Sequence, residues 1–345
     1  MKFKFFIFLI TIILFTACSE NRPKPSVSFY HWKAKMDISQ NEMDYLDSLA
    51  VKKIYLRFFD VHWNKENKSV NPISSLQWKY FEPGRKLEIV PVVYITNIAL
   101  EKTEYDRGVD TLALNISKKL RSMIPKMDTV RFFVRELQLD CDWSLETQSK
   151  FFRLINLLKK YLPEIKIFSA TIRLHQVKYF TTTGVPPVDK GILMFYNMGN
   201  VQERNEKNSI LNLKTAKKYL ENFDIYPLKL DVALPLYSWA VQFRENKIQQ
   251  LINDVSAKDL LDKSFFERMG ENEFKVLKSN YLKGIYVYKN DILRIENISE
   301  TDLKSSVNML KTVFGHKKFD FIFYHLDKNI VHQYNDKMIL KLTAD

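Results

Sequence analysis

Asp140 and Asp142 stand two residues apart in Glu136-Leu-Gln-Leu-Asp-Cys-Asp-Trp143, where polar and apolar residues alternate with the period of a β-strand. Glu136, Gln138, Asp140 and Asp142 share one face, and Leu137, Leu139, Cys141 and Trp143 share the other. Carboxylates stacked along an otherwise apolar strand are costly to desolvate, so a purely structural role needs a partner for each. The column reads as facing a solvated, functional interior. Close like charges disfavour joint ionisation, which lets one carboxyl keep a proton and act as an acid while the other stays charged.

Such a strand needs a sheet to hold it. Short β-rich runs alternate with amphipathic helical stretches along the chain, the order expected of a parallel sheet with helical crossovers. Strands are predicted at 28–32, 54–60, 88–96, 137–143, 167–174, 192–198, 230–239 and 319–326. That series predicts an α/β fold, a closed (β/α)8 TIM barrel. Helices are predicted at 40–49, 111–123, 144–162, 214–222 and 300–314, with Ser144 capping the third. The stretch between Trp239 and Phe319 is too long for one crossover. It is predicted to hold two helices and a hairpin pairing 284–288 with 292–295, an insertion after the seventh strand at about 245–298.

In barrels of this kind the working residues sit at the carboxyl ends of the strands. The polar residues collect there in order: His31 and Trp32; Arg57, Asp60 and His62; Thr96 and Asn97; Asp140 and Asp142; Thr171, Arg173 and His175; Tyr196 and Asn197; Tyr237 and Trp239; Tyr324, His325 and Asp327. Plainer roles stay open. Arg57 and Arg173 can neutralise Asp140 and Asp142 as a buried ion-pair network, and Trp32 and Trp239 can belong to the core. Asp60-Val-His62 has ligand-like spacing, but no His-x-His or His-x-x-x-His accompanies it, so no metal is expected. There is no Gly-x-Ser-x-Gly elbow, and with eight glycines and no Gly-rich phosphate loop no cofactor is expected.

The ends carry a different message. Lys2 and Lys4 precede an apolar run from Phe5 to Phe15, then Thr16-Ala17-Cys18; the run is short of the ~20 residues a membrane span needs. Residues 1–18 resemble a bacterial lipoprotein signal in which Cys18 is lipidated and anchors the chain to a membrane. Residues 19–26 suit a tether, and 27–345 form one globular body, expected as a monomer. Ser19 after the cysteine fits the cell envelope, on the outer membrane or cell surface rather than the inner membrane. Cys141 then has no partner for an intramolecular disulfide. The net charge of +13 invites an acidic partner, but the lysines are scattered in short pairs such as Lys159-Lys160 and Lys217-Lys218, the pattern of a solvated surface. For an exported chain, nucleic acid is not an expected partner.

Three strand ends together resemble the family 18 glycoside hydrolases, the chitinase-like barrels. Asp140-Cys-Asp142-Trp143 is similar to the end of that family's D-x-x-D-x-D-x-E motif on strand four, Met194-Phe-Tyr196-Asn197 to M-x-Y-D on strand six, and Ala233-Leu-Pro235-Leu-Tyr237-Ser238 to G-x-P-x-Y-G on strand seven. Ser28-Phe-Tyr-His-Trp32 is a fainter echo of the first strand. Leu137 and Gln138 replace the motif's first Asp and Gly, Asn197 replaces the strand-six Asp, and Ser144 stands where the acid Glu belongs. The chain also resembles bacterial lipoproteins predicted to be glycosidase-like barrels.

The resemblance implies a barrel acting on an oligo- or polysaccharide. Asp140 and Asp142 would be the catalytic carboxylates, and Tyr196 and Asn197 would position substrate. Trp32 and Trp239 would stack on sugar, and Arg57 and Arg173 would partner carboxylate or substrate. His31, Asp60, His175 and Tyr237 complete the expected binding set. In the family the Glu protonates the leaving oxygen while the Asp two residues earlier, here Asp142, orients the substrate's N-acetyl group. A serine hydroxyl does not supply that proton near neutral pH. Two expectations follow: a hydrolase using Asp140 and Asp142, or a barrel that keeps the sugar cleft as a non-catalytic binding or scaffold protein.

Overall fold

The computed structural model describes residues 25–73, 75–79, 81–126, 130–221 and 223–344; Cys18, the expected signal segment and most of the tether lie outside them. Eight strands form the barrel: β1 (Val27–His31), β2 (Lys53–Asn64), β3 (Leu87–Ile95), β4 (Glu136–Asp140), β5 (Ile167–Arg173), β6 (Lys190–Met194), β7 (Leu230–Pro235) and β8 (Phe321–Tyr324). Each pairs in parallel with the next, and β8 pairs with β1 to close the ring. This is the (β/α)8 architecture that the alternating runs predict.

The helices Gln40–Ser48, Arg107–Met123, Gln148–Tyr161, Leu213–Tyr219 and Glu300–Phe314 cover the barrel. The β2–β3 connection differs: an antiparallel strand, Ser69–Ile73, lies on the end of β2, and no helix occurs among its described residues. On β4 the alternation works as the pattern demands. Leu137, Leu139, Cys141 and Trp143 join the core with Phe151, Leu154, Ile155 and Leu158 of the following helix, and Trp143 stacks on Phe151 at 5.2 Å. Ser144 is not that helix's cap. Its amide donates to Thr147 Oγ1 (2.9 Å) while the Thr147 hydroxyl donates to Asn97, closing a turn that delays the helix to Gln148.

The insertion follows the seventh strand as expected, but its two predicted helices are absent. It is a five-stranded antiparallel sheet in the order Lys247–Asn253, Trp239–Arg244, Ile292–Glu296, Glu273–Val276 and Phe266–Arg268, with one 3-10 turn at Ala257–Leu260. The expected pairing of 284–288 with 292–295 does not form. Asp291 does close a turn, accepting from the Tyr288 amide, but it also binds Gln242 and Arg244. Ile292–Glu296 is thereby laid against Trp239–Arg244, and Ile285–Val287 pairs with Asn280–Leu282. Ala240, Ile252, Phe266, Phe274, Val276 and Leu293 give this sheet a core of its own.

The inward faces of the strands are polar at the amino end of the barrel. Glu136, fully buried, lies 2.7 Å from Lys53 Nζ and 3.2 Å from Lys190 Nζ, and accepts from Ser169 Oγ at 2.7 Å. Lys53 also meets Glu88 at 3.5 Å, and Lys190 meets Asp231 at 2.9 Å. One layer up, the Tyr30 hydroxyl donates to Gln138 Oε1 at 2.8 Å. The Glu136-Gln138-Asp140 column therefore runs from a closed ionic floor toward the barrel mouth.

Candidate functional site

At the carboxyl ends of the strands the barrel opens into a cavity of about 420 Å³. Its floor is Asp140, which is 8% exposed and accepts from Thr171 Oγ1 at 2.7 Å. Burial raises its carboxyl above the usual range, against the opposing pull of Arg173 and the Thr171 hydrogen bond. Asp142, two residues on, lies past the end of β4; its side chain is 57% exposed and faces Arg173 at 3.9 Å. The two carboxylates of the sequence column thus occupy different environments, one buried and one open to solvent.

The walls are aromatic. Tyr324 from β8 lies 5.7 Å from Trp32, 5.6 Å from Tyr196 and 5.7 Å from Tyr237, and Tyr237 lies 5.4 Å from Trp239. Tyr94 adds a further edge against Trp32 at 6.4 Å. Mixed apolar faces and polar hydroxyls of this kind suit a ligand that offers both C–H faces and hydroxyls. Asn197, in the left-handed region at φ 53°, accepts from the Tyr237 hydroxyl at 2.6 Å. An adjoining cavity of about 260 Å³ shares Arg173, Tyr196 and Asn197 and adds Asp142, His175 and Tyr219.

The insertion supplies the far wall. Trp239 Nε1 donates to Glu296 Oε2 at 2.9 Å, and Glu296 also takes the Ser209 amide and the buried Arg294 guanidinium. Arg294 in turn donates to backbone oxygens of Val201 and Arg204. This network ties the sheet to the loop after β6 and fixes the Trp239 ring beside the cleft. Asn253 and Asp254, at the end of the strand paired with Trp239–Arg244, also line the cavity.

Of the residues singled out from sequence, Trp32, Arg57, Asp140, Arg173, Tyr196, Asn197, Tyr237 and Trp239 line the main cavity, and Asp142 and His175 the adjoining one. Asp60 and His31 line neither; each is 2% exposed. Arg57 does not neutralise Asp140 or Asp142 but donates to both oxygens of Asp60, while its guanidinium lies 5.7 Å from the Trp32 ring centroid. Tyr94, Asn253 and Asp254 were missed. Tyr94 carries an inward parity that β3 shows plainly, whereas Asn253 and Asp254 reach the cleft only through the insertion's long-range pairing. Among the described residues no group of three or more His, Cys, Asp or Glu could hold a metal.

His31 lies behind this wall, near Lys33 and His325. Burial, reinforced by those neighbours, lowers its pKa to about 4. The unfolded chain takes up a proton near pH 6.5 that the folded chain refuses until about pH 4. Stability is therefore highest above pH 6.5 and falls as the pH drops toward 4, by on the order of 3 kcal/mol. Urea denaturation at pH 7 and pH 4.5 measures the loss, and His31→Gln should remove most of it. An unchanged pH slope in that variant would place the sensitivity elsewhere.

No family model and no curated protein sequence matches the chain. Solved structures do. The spore cortex-lytic enzyme SleL of Bacillus cereus superposes with a TM-score of 0.56 at 13% identity, over 94% of this chain and 76% of that one. A chitinase from Chromobacterium violaceum gives 0.55 at 12%, over 93% and 99%. A Class V chitinase from Nicotiana tobaccum, in complex with NAG4, gives 0.52 at 11%, over 94% and 99%. At these identities the likeness is one of fold: the chain shares the (β/α)8 barrel architecture of these enzymes.

Proposed function

We propose that the barrel binds an oligosaccharide across the cleft between Trp32 and Trp239. The observation that carries this reading is the ring of Trp32, Tyr94, Tyr196, Tyr237, Trp239 and Tyr324 above the Asp140 carboxyl and Arg173. Aromatic faces stack on sugar rings, while Asp140, Arg173 and Asn197 offer hydrogen bonds to hydroxyls or an acylamino group. The complex of the Nicotiana tobaccum chitinase with NAG4 supports an oligosaccharide as the ligand class. Ser144 places no proton donor where the resemblance expects one: its hydroxyl sits 3.4 Å from Thr147 Oγ1. Binding without hydrolysis is the first reading.

A hydrolytic reading draws on one observation: burial raises the Asp140 carboxyl above the usual carboxylate range, two residues before the exposed Asp142. Prolonged incubation with oligosaccharides of N-acetylglucosamine, followed by mass spectrometry, separates the two readings. The binding account expects no shortened product. Product that disappears in a folded Asp142→Asn variant would establish hydrolysis instead. We further propose that the chain is anchored in the cell envelope through acylation at Cys18, an inference supported by the pattern of residues 1–18; the mass of the mature chain, with and without Cys18→Ala, tests it.

A further inference from the structure

Because all eight barrel strands are parallel, the residues that precede them lie on one face, opposite the cleft. Lys52 precedes β2, Lys86 precedes β3, Arg135 precedes β4, Lys166 precedes β5, Lys229 precedes β7, and Lys317 and Lys318 lie just before β8; all are exposed. Cations scattered through the sequence are thus gathered into a ring by topology. The nearby carboxylates Glu82, Glu164 and Asp189 already face Arg131, Arg121 and Lys159, and Asp320 takes the Ser26 amide.

Two further features occupy the same face. An apolar groove of about 320 Å³ lies between Phe223, Tyr226, Leu228 and Phe314, rimmed by Lys229, Lys317 and Lys318. Ile225 beside it is 61% exposed, and Val130, next to the strand that pairs with the start of β3, is 89% exposed. The chain also enters the barrel here, through Ser26 and Val27 beside Asp320 and Phe321. The sequence before that point carries the apolar run from Phe5 to Phe15.

From this convergence we infer that the amino-terminal face of the barrel docks on a bilayer surface rich in anionic lipid headgroups. Exposed lysines supply the attraction to the headgroups, and Val130, Ile225 and the groove supply apolar contact at the interface. The cleft then points away from the membrane, toward polymer in the surrounding space. The inference stands apart from the oligosaccharide reading and does not require a lipid on Cys18.

The test uses the full chain with Cys18→Ser, so that no acyl group contributes, partitioned onto phosphatidylcholine vesicles with or without phosphatidylglycerol. Lys2 and Lys4, ahead of the apolar amino-terminal run, add the same anionic preference to every variant, so the ring's contribution is read from the difference between variants. The wild-type face should give a preference for anionic vesicles of at least about tenfold at moderate salt. In a variant with Lys52→Glu, Lys166→Glu, Lys229→Glu and Lys318→Glu the preference should fall at least about fivefold, to what Lys2 and Lys4 alone support. Reversing four insertion lysines instead (Lys247→Glu, Lys258→Glu, Lys263→Glu and Lys289→Glu) should leave it intact. Equal loss in both variants, no preference in the parent chain, or a ring variant that loses only its retention on a soluble anionic glycan would each overturn the inference.

Discussion

Replacing Glu136 with alanine is expected to cost about 3 kcal/mol of folding stability, measured by urea denaturation at neutral pH. Glu136 is fully buried and bridges Lys53 and Lys190, with Ser169 donating to one oxygen. Its removal leaves two ammonium groups, 21% and 13% exposed, with Glu88 and Asp231 as their remaining counter-charges among the described residues. Those remaining pairs keep the loss toward the low end for a broken buried ion pair. Glu136→Gln retains an acceptor for Ser169 and should cost less than the alanine variant. A loss under about 1 kcal/mol for Glu136→Ala would mean that water already solvates this floor.

The second large effect falls on ligand binding. Trp239→Ala should weaken oligosaccharide affinity by about 30-fold or more, since aromatic anchors at the centre of a binding surface commonly carry ~2 kcal/mol or more. The ring is held on two sides, by the Tyr237 ring at 5.4 Å and by the hydrogen bond from Nε1 to Glu296. Trp239→Phe separates these contributions, keeping an apolar face but losing the bond to Glu296. It should bind more tightly than the alanine variant and less tightly than the parent chain. Equal affinity in all three chains would remove Trp239 from the binding surface.

Much of the barrel was legible because its strands are local patterns. Alternation in Glu136–Trp143 separated a polar interior column from the residues that pack under the helix, and the structure keeps that separation. What escaped was set by non-local geometry. The run 230–239 reads as one strand, yet β7 stops at Pro235, and Trp239 begins the insertion's sheet because its partners are Ile292–Glu296 and Lys247–Asn253. Strand parity alone sets Arg57 and Asp60 on opposite faces; an irregularity in the β2–β3 register between Arg57 and Phe59 lets them pair. The basic face was invisible for the same reason, since its lysines are neighbours only once the barrel has closed.

Ser144 shows the opposite case, a departure readable in sequence whose consequence needed coordinates. Its hydroxyl lies against Thr147, in the turn that postpones the helix, and Asp140 below is bound by Thr171. The site combines carboxylates, an arginine and aromatic walls, the set on which the proposed oligosaccharide binding rests. Titration of the intact chain with oligosaccharides of increasing length, beginning with NAG4, tests the proposed binding most directly. Trp32 and Trp239 lie at the cleft, so their fluorescence reports occupancy. The account predicts saturable binding that is lost in Trp239→Ala; absence of saturation with every oligosaccharide, or saturation unchanged in that variant, would contradict it.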